Sequence, residues 1–152
     1  MVNPIKQIYS FNEKAGLLEN GYSDTLEDSM VIEECLENHS TLPLLGELFS
    51  LSSEDSTPKL LSRAIVATSH SEDKPISDVD RLDKACDKAI IAIGSMAKLG
   101  LNPNQITRAL NVVMNANMAK LKQAKDSSGK LTKPKNFVGP EEKLQQILDE
   151  RT

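Results

Sequence analysis

The chain has 152 residues, which suits one core of ordinary size and falls short of two. Aromatic residues make up only 3 %, with no Trp, while Ala, Leu, Ile, Met, Lys and Glu abound; this disfavours strand-rich sandwiches and predicts an all-α fold. A formal net charge of −4 opposes attachment to nucleic acid through phosphate neutralisation, and no stretch approaches the roughly 18 to 20 apolar residues of a membrane span. Met1 to Ser10 has no basic segment followed by an apolar run and no cleavage site, so the expectation is a cytoplasmic protein with neither nucleic acid nor membrane as partner.

The first helix is announced by Asn3 as N-cap and Pro4 as first helical residue, runs through Ile5, Ile8, Tyr9 and Phe11, and ends near Leu18, before Asn20-Gly21. The second starts with Asp24 capping and Glu27 reaching back, and continues to about Asn38. From His39 to Pro75 the pattern weakens into an apolar piece at Leu42–Leu51, a polar run at 52–56, a helix over Pro58–Ala67 and a loop over Thr68–Pro75. Residues 38–76 therefore read as a helical insertion packed on the side of a bundle.

The third and longest helix begins with Ser77 and Asp80 in a capping pair and runs to Leu99, where Gly100 takes the left-handed conformation. Asn102 and Pro103 open a fourth helix to about Ala124, and the tight joint between the two predicts an antiparallel hairpin. Residues 126–140 are rich in Ser, Gly, Pro and Lys, and a short helix over Glu141–Glu150 follows. The architecture expected is a single domain over 1–152: an antiparallel helical bundle with the inserted segment, ending in the loop and short helix of 126–152. Cys35 and Cys86 read as small apolar core residues.

Chemistry concentrates on two helices. At about 100° per residue, Glu33, Glu34 and Glu37 share one side of the second helix, while Val31, Ile32, Cys35 and Leu36 form the opposite, core-facing arc. An acidic face of this kind is most often just solvated, yet Leu26 and Met30 fall on the acidic side too. On the third helix Asp80, Asp83 and Asp87 line a stripe, and Ala89 to Ala97 is apolar or small nearly all round, which predicts a helix enclosed on several sides. Carboxylates at the mouth of such a helix repel one another unless a cation offsets them, and oxygen-only donors select Mg²⁺ or Mn²⁺. A diiron bundle would need Glu-x-x-His pairs, but Leu36 and Ala67 stand three residues before His39 and His70. Gly94 and Lys98 continue the aspartate stripe, as a close-approach point and a phosphate contact or, equally, as a packing notch and a helix-end cation. Asn111, Asn115, Asn117 and Lys120 crowd the fourth helix, where they either bind ligand or cap neighbours.

Taken together these residues resemble the all-α nucleoside triphosphate pyrophosphohydrolases, the MazG-like superfamily that includes dimeric dUTPases and phosphoribosyl-ATP pyrophosphohydrolase. Glu33-Glu34-x-x-Glu37 resembles the EExxE element, Asp83 with Asp87 the paired acids of the next core helix, and Phe11 to Gly16 the opening helix. Ala92-Ile93-Gly94 followed by Lys98-Leu99-Gly100-Leu101-Asn102-Pro103 adds a hairpin, and Leu131 to Leu144, including Lys133 to Pro140, resembles the C-terminal segment. The chain departs from the pattern in carrying Lys84 where Glu-x-x-Asp would place a glutamate before Asp87, and in a longer interval between Glu37 and Asp83.

The resemblance implies hydrolysis of a nucleoside triphosphate at the α-phosphate to monophosphate and pyrophosphate, with house-cleaning of nucleotides as the broad role. It further implies Mg²⁺, or Mn²⁺, held by Glu33, Glu34, Glu37 and Asp87, with Asp83 next, and Glu33 or Glu34 as general base. Lys98, Asn117 and Lys120 are the candidate phosphate contacts, and Lys133 and Asn136 belong to a tail that closes over the nucleotide. A homo-oligomer, dimer or tetramer, assembled through the core helices is also implied, and the apolar third helix predicts it independently. Two other classes fit the same residues: a non-catalytic helical module binding nucleotides or protein, and a structural bundle whose acids only solubilise it.

Overall fold

A computed structural model describes residues 2–19, 21–37, 42–49, 51, 57–69, 76–123 and 131–151. Among them the secondary structure is helical, in seven segments: α1 (Pro4–Lys14), α2 (Asp24–Leu36), α3 (Leu42–Leu48), α4 (Pro58–Ser69), α5 (Asp78–Lys98), α6 (Pro103–Lys120) and α7 (Glu141–Asp149). The polar run at 52–56 and most of the loop at 68–75 lie outside the described residues. No described helix is long and apolar enough to cross a membrane.

The boundaries follow local chemistry. Asn3 accepts from the Ile5 N–H at 2.9 Å and Pro4 supplies the pre-set φ of a first helical residue. The helix stops at Lys14, short of Leu18, because Gly16 turns left-handed at φ +71°. On α2 the N-cap is Ser23, one residue before the expected Asp24: its Oγ accepts from the Leu26 N–H at 3.4 Å. Asp24 binds Arg81 instead, accepting from Nε at 3.1 Å and Nη2 at 2.8 Å. Ser77 and Asp80 form the expected reciprocal pair, with Asp80 N–H donating to Ser77 Oγ at 3.1 Å and Ser77 N–H to Asp80 Oδ2 at 3.3 Å. Asn102 and Gln105 make a second full capping box.

The chain folds as two compact units, Met1–Gly21 with Asp83–Thr152, and Tyr22–Leu82. In the first, α1 and α7 both pack on α6, and Leu101, Ile106, Ala109 and Ile147 form the core with Met96, Leu144 and Leu148 against it. In the second, α2 and α3 pack on α4, burying Ser29 and Leu36 of α2 with Leu61, Ser62 and Val66 of α4.

Two packing expectations fail. The joint after α5 is tight, with Gly100 at φ +87°, yet α5 and α6 do not pack along their lengths. The sides of α6 are taken by α1 and α7, and α5 meets the core at Met96. As a result no residue of α5 is buried, and Ile90 and Ile91 are 66 % and 68 % exposed. The expected core arc of α2 is also narrower: Leu36 is buried, whereas Val31 and Cys35 are exposed. Cys86 is exposed as well, so neither cysteine is a core residue.

Candidate functional site

Helix α2 contains five carboxylates and no Lys or Arg, so nothing on the helix itself neutralises them. Glu33 is half-buried beside the α4-facing stripe, and Glu34 and Glu37 are exposed, Glu37 closing the helix by donating its N–H to the Glu33 carbonyl at 3.1 Å. On α5, Asp83 and Asp87 are exposed one turn apart. Among the described residues no hydrogen bond or ion pair engages the side chains of these five acids.

Arg81 does not serve Asp83, its neighbour two residues on. Its guanidinium holds Asp24 and, through Nη1 at 3.0 Å, Asp78, and lies 5.7 Å from the centre of the Tyr22 ring. The hydrogen bond to Asp24, then that to Asp78, raises its pKa further above the ordinary arginine value.

The donor chemistry of these acids, all hard oxygen, fits Mg²⁺ or Mn²⁺. Among the described residues no three His, Cys, Asp or Glu side chains gather as a metal-binding group. A site for a metal would need acids from more than one helix.

A second cluster is assembled. Asn117 and Lys120 lie one turn apart on α6, and Lys120 Nζ donates to Asn117 Oδ1 at 3.0 Å. The tail beyond α6 makes a turn in which the Phe137 N–H donates to the Pro134 carbonyl at 3.0 Å. Two ammonium groups lie near the Phe137 ring, with Lys120 Nζ 5.4 Å and Lys133 Nζ 5.6 Å from the ring centre. Both distances lie within the roughly 6 Å range of cation–π attraction. Lys120, an expected phosphate contact bonded to Asn117, and Lys133, an expected residue of the closing tail, thus both lie at Phe137, a residue that sequence reasoning passed over although it stands inside the Lys133 to Pro140 segment.

Among the described residues no hydrogen bond, ion pair or ring contact joins Lys98 or Asn136 to them. Asn136 is exposed next to Phe137 in sequence, and Lys98 is exposed in the last turn of α5, where a cation complements the helix dipole. Among the described residues an added Cβ at Gly94 would meet nothing within 4 Å, so none of them packs into Gly94 as a notch. Asn111 and Asn115 hold neighbours: Asn111 Nδ2 donates to the Val2 carbonyl at 3.0 Å, and Asn115 Oδ1 accepts from Gln7 Nε2 at 3.3 Å.

Comparison with protein-family models, with curated proteins and with solved structures finds no match for this chain.

Proposed function

We propose that this protein hydrolyses a nucleoside triphosphate at the α-phosphorus, releasing pyrophosphate and a monophosphate. The observation that carries the reading is the presence of two unlike sets of charge: the carboxylates of Glu33, Glu34, Glu37, Asp83 and Asp87, which no ion pair engages among the described residues, and the ammonium groups of Lys120 and Lys133 at Phe137. Glu33, Glu34, Glu37 and Asp87, with Asp83 next, would hold Mg²⁺ or Mn²⁺. Bound there, the metal would offset triphosphate charge and acidify a water. Glu33 or Glu34 would accept the proton of that water. Lys120, Lys133 and Asn117 offer donors to phosphate oxygens, Asn136 extends the same tail segment, and Lys98 supplies a cation at the end of α5.

Assembly belongs to the same reading. α5 buries nothing, and its isoleucines are the kind of surface that a second copy covers. A homodimer or homotetramer joined through α5 would bring acids from several helices within reach of one ion, which the described residues of one chain do not do.

The scattered acids favour one rival, a nucleotide-binding module without hydrolysis. Both are decided by pyrophosphate release from a panel of ribo- and deoxyribonucleoside triphosphates with Mg²⁺ or Mn²⁺, comparing wild type with Glu34→Gln and Asp87→Asn. Metal-dependent pyrophosphate with a matching monophosphate, lost in both variants, upholds hydrolysis. Binding that survives both variants without any cleavage leaves the module.

A further inference from the structure

Helix α5 carries its apolar residues on the outside. Its half-buried side chains include Arg81, Lys84 and Lys88, whereas Val79, Leu82, Ile90 and Ile93 are 77, 66, 66 and 47 % exposed. Cys86 and Ala97 are exposed as well. At about 100° per residue these six exposed positions fall within roughly 80° of arc, opposite the side that carries Arg81, Lys84 and Lys88.

The six recur at steps of three, four, four, three and four residues. Such alternation keeps one seam of a helix against a second helix by knobs-into-holes packing, an order that neither a small ligand nor a lipid surface demands. From 79 to 97 the seam runs about 27 Å at 1.5 Å per residue, long for an apolar stripe left in water.

The charges beside the seam identify the second helix and its direction. Asp80, Asp83, Asp87 and Lys98 all lie on one flank. In an antiparallel pair related by a two-fold axis, each flank faces the same flank of the other helix. The seam is centred on residue 88, so Lys98 of each copy comes level with the first turn of the other, where Asp78 and Asp80 stand. That complementarity occurs twice in the pair. A parallel pair sets the flank of Asp83 and Asp87 against Ala85 and Ala92 and leaves Lys98 beside a half-helix, 89–98, that contains no acid.

We infer that α5 pairs antiparallel with α5 of a second copy along Val79, Leu82, Cys86, Ile90, Ile93 and Ala97. The inference rests on the assembly proposed above and adds its orientation and register. It also bears on the acids: Asp83 and Asp87 of both copies then lie on one side of the pair, so that side carries four carboxylates where one chain offers two.

The full chain is tested in EDTA without nucleotide, so that pairing and hydrolysis fail or stand separately. In a background of Cys35→Ser and Cys86→Ser, chains with Val79→Cys and chains with Ala97→Cys, one set tagged for size, are mixed and oxidised with diamide. All four positions are exposed, and circular dichroism should not change. The expected result is a disulfide between unlike chains in preference to either chain linked to itself. Sedimentation equilibrium of the wild type should give a dimer, or a tetramer containing the pair, and Ile90→Glu should raise its dissociation constant about tenfold or more. The proposal is overturned if the wild type is monomeric at about 100 µM, if like chains link as readily as unlike ones, or if Ile90→Glu leaves association unchanged. A monomer that releases pyrophosphate would leave hydrolysis standing without the pair.

Discussion

Replacing Phe137 by Leu tests whether the tail is held to α6 by charge over an aromatic face or merely by apolar contact. Leucine keeps most of the apolar bulk and removes the ring quadrupole. Two ammonium groups at 5.4 and 5.6 Å each contribute about 0.5 to 1 kcal/mol at a partly exposed Phe, so the substitution should cost about 1 to 2 kcal/mol. A double-mutant cycle isolates the Lys133 share: Phe137→Leu, Lys133→Met and the double variant are unfolded in urea, and the coupling free energy should be about 0.5 to 1 kcal/mol. Because both cations lie at the same ring, inorganic pyrophosphate should raise the melting temperature of the wild type and lose that effect in Lys120→Met. Additive single effects, with no coupling beyond experimental error, would refute the aromatic clamp and remove the phosphate cluster from the proposed site.

Leu61 is fully buried between α4 and its neighbours; removing about three carbons at about 0.8 kcal/mol each, with a cavity term, puts Leu61→Ala at about 2.5 to 4 kcal/mol in urea unfolding. The loss should appear in amide exchange of α2 and α4, and uniform exchange changes across the whole chain would contradict the division into two units. Gly100→Ala, at φ +87°, should cost about 1 kcal/mol or more, and an unchanged urea midpoint would show that the joint after α5 adopts another conformation. The Arg108 hydrogen bond, and secondarily its charge, lowers the pKa of Glu150 below its ordinary 4.5. A depressed acid stabilises above its unfolded pKa and stops doing so as pH falls through the folded value. The melting-temperature gap between wild type and Glu150→Gln should therefore be present at pH 7 and close in acid below the ordinary glutamate range; a gap independent of pH would mean that the pair is not formed.

Features written within four or five residues of sequence were legible. Asn3-Pro4, Ser77 with Asp80, Gly100 and Asn102-Pro103 each place a helix end through bonds between near neighbours, and the structure keeps them all. Ser23 and Asp24 show the limit of such reading, since either can cap and the choice fell to Arg81, 57 residues away, which claims Asp24. The same limit hid the packing of α5 and the exposure of Cys35 and Cys86, because apolar composition states what a helix can bury and not what comes to bury it. Asn117 and Lys120 were readable as phosphate contacts and Lys133 as part of a closing tail, one by one. The meeting of Lys120 and Lys133 at Phe137 was not, since it depends on the path of the tail back to α6. The acids on α2 were readable as a shared helix face, but a shared face does not establish that carboxylates converge on a point.

The bareness of α5 bears on how long a chain survives as well as on what it binds. A helix draws most of its stability from the face it packs, and α5 packs no buried residue. Uncovered, it would open often enough for a protease to cut it while α6, gripped on two sides, stays intact. If the proposed assembly through α5 holds, chains made in excess of their partners would be cleared through this one segment, and the rate of cleavage within 78–98 would gauge how much of the protein is assembled.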